Sequence, residues 1–373
     1  MLKSPYIEWS DIVMRIRVIG AGAAGLSFAL AATTVGYRDI LVFEEHSRVG
    51  VPKHCTGLVS ETTVQAWGNI ARSCIINKFH DYIVRDVERR NTIYLKLLEP
   101  VYLLNRVKLE EELADTILSA GGIIKFRRRI RTIHPHHNVL IDHEGNRVEY
   151  DIAVVCEGAP RILARNLGLY SKPKNLVGIQ QLISLGKSPE TVIVYADRRI
   201  SRNFFGWCVP VSDKIALIGA ADHHGSNAYA GVLRILRVLE KEGYQVRNVI
   251  EQFGGLIPID LPRSLIADNV LFFGDAASLV KPLTGGGLYA ISRVFRALTN
   301  ILKHTDPKEL SHAFMAEINM LKRKFKLHSV IRSALTALGG YETALKILSA
   351  IGVRFIKIEE YDDLLTGMKL GSW

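Results

Sequence analysis

Six consecutive residues near the start of the chain have the spacing of a dinucleotide-binding turn. They are Gly20, Ala21, Gly22, Ala23, Ala24 and Gly25, a GxGxxG pattern. Gly20 permits the tight turn, Gly22 lets the backbone approach a pyrophosphate, and Gly25 lets a helix pack closely on a strand. Glu44 follows at the distance where a carboxylate can accept hydrogen bonds from the two ribose hydroxyls of an adenosine. The pattern therefore predicts a bound dinucleotide.

A second glycine-rich motif lies far along the chain and contains an acid. It consists of Gly274, Asp275, Ala276 and Ala277, followed by Pro282, Thr284, Gly285, Gly286 and Gly287. An acid at this position can hydrogen-bond a ribityl chain, and the glycines can offer backbone N–H groups to the pyrimidine edge of a flavin. FAD is long enough to contact both motifs, whereas a nicotinamide dinucleotide ordinarily needs only the first. The two motifs together therefore predict FAD.

The elements that position both motifs are predicted to be those of a parallel sheet. Residues 15 to 19 predict a short strand, residues 21 to 34 a buried helix, and residues 39 to 44 a second strand. The order strand, glycine turn, helix, strand is the unit from which parallel sheets are built. Residues 269 to 273 predict another buried strand that ends directly before Gly274. We therefore expect both motifs at the ends of strands.

The rest of the chain predicts a second domain and a helical end. Residues 166 to 263 alternate mainly as strands, and residues near Leu310 and beyond have helical periodicity with a break at Gly339 and Gly340. A turn at residues 144 to 146 is expected to join strands at 139 to 142 and 151 to 156. The predicted class is α/β with an α+β second domain. Its parts are an FAD-binding domain (14–72, 101–165 and 264–303), a β-sheet substrate domain (73–100 and 166–263) and a helical C-terminal region (304–373).

Composition and charge limit the location and the partners of the protein. The 373 residues are 48% hydrophobic, enough for a full core, and no run of eighteen uncharged apolar residues predicts a membrane-spanning helix. Glu8 and Asp11 make the first residues unlike a secretory signal, so we expect a cytoplasmic protein. Residues 1 to 13 are expected to be either a short extension or a result of start-site choice, and to add nothing to the fold. The four cysteines form no CxxC pair, so we expect no metal site.

The formal net charge of +11 favours anionic partners such as phosphate groups or acidic lipid surfaces. The basic stretch from Lys322 to Arg332 could face an acidic donor protein or lipid headgroups, or it could pack as a lid on the β-sheet domain. Peripheral contact with a membrane is thus one of three open alternatives for this stretch. No nucleic-acid partner is expected.

Six stretches of the sequence, in order and spacing, carry a resemblance to a known family. They are RIRVIGAGAAGLSFALA, LVFEEHSRVGVPKHCTGLVS, LLNRVKLEEELADTILSAGG, YDIAVVCEGAPRILARNLGL, FFGWCVPVSD and GGLIPIDLPRSLIADNVLFFGDAASLVKPLTGGGLYAI. Across about residues 14 to 300 the chain resembles the geranylgeranyl reductase family of FAD-dependent oxidoreductases, within the para-hydroxybenzoate hydroxylase-like fold. The stretch PKHCTG, residues 52 to 57, favours the reductases over related hydroxylases and halogenases.

The resemblance implies a role for each candidate site residue. Cofactor contacts are implied for Gly20, Gly22, Ala23, Ala24, Gly25, Glu44, Glu45, Cys55, Thr56, Gly57, Arg106, Glu157, Gly158, Gly274, Asp275, Pro282, Gly285, Gly286 and Gly287. Cys55 would lie near the reactive face of the flavin, where its thiol could donate a proton or simply fill space. His54 is the second catalytic candidate, because an imidazole ring can both donate and accept a proton.

The substrate side departs from the family pattern. Family members tend to carry Tyr-x-Trp-x-Phe-Pro at the sheet edge that faces the substrate, where this chain keeps Trp207 and Pro210 but has Phe205 and Val209. Phe205, Trp207 and Pro210 are the predicted substrate contacts, with ordinary core packing as the alternative. The usual Asp-Gly after the third parallel strand is Glu157-Gly158. Flavin binding is unaffected by these changes, whereas the substrate is left open.

The resemblance implies reduction of carbon–carbon double bonds in a prenyl lipid or prenyl phosphate by reduced flavin. Ferredoxin, a reduced quinone-type carrier or NAD(P)H would supply the electrons, and no second GxGxxG marks a separate nicotinamide site. Two alternatives remain: an oxygen-using flavin monooxygenase of the same fold, and a non-catalytic protein that binds flavin or lipid.

Overall fold

The computed structural model describes residues 14–304, 306–363 and 368–371. The expectation about residues 1 to 13 lies outside this part of the chain. In chain order, strands β1 to β19 are Ile16–Ile19, Ile40–Phe43, Leu58–Ser60, Ile75–Arg85, Thr92–Leu104, Ile123–Lys125, Ile130–His134, Val139–Asp142, Arg147–Glu149, Ile152–Val155, Asn175–Leu185, Val192–Tyr195, Gly206–Ser212, Ile215–Asp222, Val246–Pro258, Ile266–Ala267, Val270–Phe272, Phe355–Ile358 and Met368–Gly371. Helices α1 to α9 are Ala23–Val35, Glu61–Trp67, Asn69–Ser73, Arg106–Ser119, Ile162–Asn166, Gly225–Lys241, Leu288–Ile301, Pro307–Ala337 and Tyr341–Ala350.

A six-stranded sheet carries both glycine motifs. Its strand order is β16-β17-β10-β1-β2-β6, and all neighbours except β16 and β17 pair in parallel. Strands β1, β10 and β17 are buried along their whole length, as is typical of parallel strands that are covered on both faces. Since β1, β10 and β17 are direct neighbours, the loops that follow Ile19, Val155 and Phe272 lie side by side at one edge of the sheet.

A ten-stranded sheet forms the second large unit. Its order is β15-β11-β14-β13-β12-β4-β5-β18-β19, with β3 paired to β5. Strand β13 alternates between two faces, as expected for a period of two residues. Trp207 and Val209 belong to one apolar cluster of this sheet, and Cys208 belongs to another, which packs against α6. The mixed α/β fold that the sequence predicts is confirmed.

A small third sheet corrects one detail of the predicted connections. Strands β7, β8 and β9 form an antiparallel sheet. The turn at residues 144 to 146 joins β8 to the short strand β9, and not directly to the parallel strand β10 as predicted. The side chain of Asp142 accepts hydrogen bonds from the backbone N–H groups of Glu144 and Asn146, both at 2.9 Å, and so closes this turn locally.

The α-helices of the C-terminal region end at Ala350. Helix α8 begins at Pro307, after Asp306, whose carboxylate accepts a hydrogen bond from Lys308 N at 2.7 Å. After α9 the chain enters strand β18, which pairs in parallel with β5. The sequence did not predict this strand. It returns the end of the chain to the ten-stranded sheet.

No helix in the described part of the chain is long and apolar enough to cross a bilayer.

Candidate functional site

The first glycine turn combines tight packing with one open position. A Cβ on Gly20 would lie 2.4 Å from the carbonyl oxygen of Cys156, and a Cβ on Gly25 would lie 2.0 Å from the carbonyl oxygen of Gly20. Both positions therefore require glycine for packing. A Cβ on Gly22 would meet no atom within 4 Å. Gly22 thus leaves free space at the N-terminus of α1, where backbone N–H groups and the helix dipole favour a phosphate.

An acid follows the neighbouring strand beside this turn. Glu44 is buried, and its carboxylate accepts hydrogen bonds from Ala21 N at 2.8 Å and His46 N at 2.9 Å. Glu45 is exposed and forms a 3.5 Å ion pair with Arg129. Of these two acids, Glu44 is therefore the one fixed against the turn.

The second glycine motif directly contacts the first. A Cβ on Gly274 would lie 2.7 Å from the Cβ of Ala24, which places Asp275 beside the N-terminus of α1. The fully buried Arg161 donates a hydrogen bond from Nε to the carbonyl oxygen of Asp275 at 3.0 Å. Burial raises the pKa of the Asp275 carboxyl, while the charges of His54, Arg161 and Arg106 oppose that rise.

Arg106, at the start of α4, lies between the first glycine motif and Cys55 in the loop of residues 52 to 57. The Arg106 guanidinium pairs with the carboxylate of Glu110, which also accepts a hydrogen bond from Ala23 N at 3.1 Å. Burial opposes the charge of Arg106, but the neighbouring Glu110 and Cys55 keep the pKa of Arg106 above its ordinary value. Cys55 is half-buried. Its thiol lies next to a permanent positive charge.

Gln180 joins this loop to the ten-stranded sheet. Its side-chain oxygen accepts hydrogen bonds from Thr56 Oγ1 at 2.7 Å and from the indole nitrogen of Trp207 at 3.3 Å. Its amide nitrogen donates to the carbonyl oxygen of His54 at 3.3 Å. Gln180 is buried, and no motif in the sequence identified it. It positions the predicted substrate residue Trp207 against the loop that carries Cys55.

One cavity of about 1050 Å³ connects these groups. Its polar part is lined by the two glycine motifs, Glu44, Arg106 and the loop that includes His54 and Cys55. Its apolar part lies against the ten-stranded sheet. The residues there are Tyr82, Val84, Leu95, Leu97, Val192, Val194, Phe204, Phe205, Trp207, Ile257, Tyr341, Ile358 and Tyr361.

Most of the predicted site residues line this cavity, and four do not. Gly25 and Gly274 are packing positions at the base of the two motifs. Pro282 is buried behind the glycine loop, and its carbonyl oxygen accepts a 3.4 Å hydrogen bond from Arg332. Pro210 is buried on β13 away from the cavity, three residues after Trp207, because successive side chains of a strand point to opposite faces.

Glu157 lines the cavity, but its carboxylate is already engaged. It accepts hydrogen bonds from the backbone N–H groups of Leu163 at 2.8 Å and Ala164 at 3.0 Å, at the start of α5. Burial raises the pKa of Glu157, and these N–H groups oppose the rise. Its place in the structure is therefore that of a helix cap beside the cavity.

The structure adds a buried ion pair that the sequence did not indicate. Lys281 Nζ lies 2.8 Å from a carboxylate oxygen of Asp362, and both side chains are buried in the cavity wall. Asp362 also accepts hydrogen bonds from the hydroxyls of Ser60 and Thr63. The Lys281 ammonium lies 5.2 Å from the ring centre of Tyr361. This pair fixes the segment around Asp362 to the loop that precedes the three glycines.

These residues are suited to hold an extended dinucleotide. The open space at Gly22 accepts a phosphate, and the half-buried carboxylate of Asp275 faces the same cavity beside Gly287, whose Cβ would lie 3.4 Å from Asp275 Oδ1. One ligand can reach both motifs, because Gly274 contacts Ala24 directly. Chemically, the arrangement offers a phosphate site at one end and a water-poor apolar chamber at the other.

Comparison with known proteins gives concordant matches. A family model described as lycopene cyclase protein matches residues 15–331. An uncharacterized protein of Methanocaldococcus jannaschii is 28% identical over 286 residues, covering 73% of this chain and 70% of that protein. Digeranylgeranylglycerophospholipid reductase 1 of Methanosphaera stadtmanae is 26% identical over 286 residues, with the same coverage of 73% and 70%.

Solved structures match over nearly the whole chain. A geranylgeranyl bacteriochlorophyll reductase-like protein from Thermoplasma acidophilum has a TM-score of 0.80 at 18% identity and covers 95% of both chains. A probable FAD-dependent monooxygenase from Pseudomonas aeruginosa has a TM-score of 0.66 at 16% identity, covering 90% of this chain and 99% of that one. At these identities the likeness shows the fold.

Proposed function

This chain belongs to the lycopene cyclase protein family, and from that membership and its cavity we propose that it uses reduced FAD to reduce carbon–carbon double bonds of geranylgeranyl or related prenyl chains. The predicted resemblance to geranylgeranyl reductases is confirmed by relatives named digeranylgeranylglycerophospholipid reductase. The chain is thus an oxidoreductase of a flavin-dependent family. Our proposal concerns the identity of the flavin and the identity of the substrate.

One observation carries the proposal: the phosphate-binding turn and the apolar chamber belong to a single cavity. A hydrocarbon chain placed against Val84, Leu97 and Val194 would reach toward the glycine loop at Gly285 without leaving the cavity. A Cβ on Gly285 would lie 3.2 Å from Ile257 and 3.4 Å from the Phe204 ring, so the loop and the apolar wall are in contact. A long apolar substrate fits this arrangement better than a small polar one.

Aromatic side chains close the apolar chamber against water. The Phe204 and Phe205 rings stack with centroids 4.0 Å apart, and Tyr341 packs edge-on at 5.4 Å from Phe205. Burial raises the pKa of Tyr341 to about 12, with Arg332 opposing the rise. The phenol is therefore neutral at physiological pH. A chamber lined by neutral rings excludes water from an isolated double bond and orients it.

When bound, reduced flavin supplies a hydride to one carbon of the double bond. The other carbon requires a proton, and Cys55 is the side chain proposed to donate it. Its thiol lies in the cavity wall close to the Arg106 guanidinium, whose positive charge would stabilise the thiolate left after donation. His54 lines the same cavity and is the second candidate, with its ring Nδ1 3.1 Å from the Pro52 carbonyl oxygen.

The proposal is tested by anaerobic turnover of the purified protein. The protein should be yellow as purified or should bind added FAD. After reduction by dithionite, it should convert a geranylgeranyl lipid to products that are heavier by two hydrogens per reduced bond, as measured by mass spectrometry. A colourless protein that takes up no FAD would refute the proposal. Dithionite reduces the flavin without the natural electron donor. Ferredoxin and NAD(P)H are then compared as electron donors in the same assay.

A matched pair of variants tests the apolar chamber. Val194 lines it from β12, next to Val84 on β4. Val194→Phe should fill the chamber and block prenyl reduction, whereas Val194→Ala should enlarge it and retain activity. Both variants should bind FAD as the unmodified protein does, because Val194 lies away from the glycine motifs. Equal turnover in the two variants would mean that the chain of the substrate lies elsewhere.

The two alternative functions give different outcomes in the same assays. A monooxygenase would consume oxygen and NAD(P)H rapidly in the presence of an aromatic substrate. A non-catalytic carrier would hold FAD that dithionite reduces but that transfers nothing to the lipid. Either result would replace the reductase proposal.

A further inference from the structure

Helices α8 and α9 expose apolar side chains on the face that points away from the core. On the inner side of α8, Phe314 and Phe325 are buried in the main core. The side chains exposed on the other side, called here the outer helical face, are Met320, Leu327, Val330, Leu338, Ile347 and Ile351. Val330 is 57% exposed, Leu338 63% and Ile351 68%. The second half of α8 is thus apolar on two opposite sides.

The charges along the second half of α8 are of one sign. Residues 318 to 341 contain five lysines and arginines and no aspartate or glutamate. Lys322, Arg323 and Lys326 are exposed, and among the described residues no carboxylate lies within ion-pair distance of these three. An exposed apolar stripe with cations and without anions is the pattern of a helix that lies in the interface of an anionic membrane. A surface that faces only water gains nothing from large exposed apolar side chains.

The same helices also form part of the cavity wall. Tyr341 begins α9, three residues after the exposed Leu338, and lines the apolar chamber. Its hydroxyl donates a 2.6 Å hydrogen bond to the carbonyl oxygen of Leu283 in the glycine loop, and Arg332 of α8 donates to the Tyr341 hydroxyl at 3.3 Å. The outer helical face is therefore rigidly connected to the chamber.

We propose that the outer helical face docks the protein on the surface of an anionic lipid bilayer. The apolar side chains would enter the boundary between headgroups and acyl chains, and Lys322, Arg323 and Lys326 would contact lipid phosphates. The connection through Tyr341 would bring the chamber close to the bilayer. Docking requires no turnover, so this proposal stands or fails separately from the proposed reduction.

The test is co-sedimentation of the full-length, flavin-loaded protein with phosphatidylglycerol vesicles and, in parallel, with phosphatidylcholine vesicles. The unmodified protein should bind the anionic vesicles and bind the neutral ones much more weakly. The variant Leu338→Ser/Ile347→Ser should reduce partitioning into anionic vesicles by at least about tenfold. The variant Lys322→Gln/Arg323→Gln/Lys326→Gln should reduce it by about fivefold for each charge removed.

Ile250→Ser is the matched control. Ile250 is 48% exposed, close to the 51% of Ile347, but it lies on β15 at the other edge of the ten-stranded sheet. Its substitution should leave vesicle binding unchanged, and all variants should keep the melting temperature of the unmodified protein. The proposal is overturned if no vesicle binding occurs, if binding ignores vesicle charge, or if the control loses as much as the variants. It is also overturned, in favour of a protein-docking surface, if the charge variant binds vesicles normally but is reduced more slowly by ferredoxin.

Discussion

Replacing Gly22 by alanine separates cofactor binding from folding. The backbone at Gly22 has φ −80° and ψ −179°, which an alanine adopts without strain, and an added Cβ would meet no atom within 4 Å. A substitution from glycine to alanine at such a position stabilises a protein by about 0.4–1 kcal/mol, because it restricts the unfolded chain. Gly22→Ala should therefore leave the free energy of unfolding unchanged or slightly higher.

The same methyl group should weaken FAD binding. It would occupy the open space at the start of α1 in which we place the pyrophosphate, and would push the phosphate away from at least one backbone N–H group. A hydrogen bond to a charged group contributes about 1.5–3 kcal/mol. The loss of one such bond corresponds to a dissociation constant about 10- to 150-fold higher.

Gly25→Ala is the contrasting variant. Its Cβ would lie 2.0 Å from the carbonyl oxygen of Gly20, so α1 would have to move away from β1. We expect a loss of about 3 kcal/mol or more in the free energy of unfolding. Flavin titration of the apoprotein by fluorescence quenching, together with thermal melting of each variant, makes the comparison. If Gly22→Ala bound FAD as tightly as the unmodified protein, no phosphate would approach this turn and the reasoning would be refuted.

Three further variants test the rest of the site. Burial raises the pKa of the Asp275 carboxyl, so this group contributes to apoprotein stability below about pH 4 and the contribution is lost as pH rises through the folded-state pKa. Asp275→Asn should therefore raise the melting temperature of the apoprotein near neutral pH and have less effect at about pH 4. In an FAD titration the same variant should bind FAD more weakly. Lys281→Met leaves the Asp362 carboxylate buried and unpaired and should cost about 3–5 kcal/mol in urea unfolding, most of which the double variant Lys281→Met/Asp362→Leu should recover. Cys55→Ala should retain bound flavin but lower the rate of prenyl reduction by about 10²-fold or more, and an unchanged rate would assign the thiol to packing alone.

The local sequence was sufficient to predict the parts of the site that depend on backbone geometry. The glycines at 20, 22 and 25 and the acid at 44 follow from the short-range requirements of one strand, turn and helix. The strand that precedes Gly274 could be predicted from its continuous apolar run, because strands of a parallel sheet are buried on both faces. The confirmed family resemblance rests on these same local patterns.

Contacts between distant segments could not be predicted, because each depends on where two independent elements meet. Gln180 occupies a strand with no motif, and it belongs to the site only because β11 lies across from the loop at Thr56. Asp362 pairs with Lys281 from the far end of the chain, through a strand whose apolar pattern is too short to be distinguished from the helix before it. Pro210 was predicted to contact the substrate, but the alternation of side chains along β13 directs it away from the cavity.

The sequence by itself predicted a dinucleotide-binding turn and the parallel strands that present it, because both depend on residue spacing within about thirty residues of chain. The tertiary structure decided that the two glycine motifs touch, that one cavity joins them to an apolar wall, and that α8 exposes an apolar face. Those features depend on which surfaces remain uncovered after all elements have packed. That outcome is a property of the assembled chain and of no single segment of it.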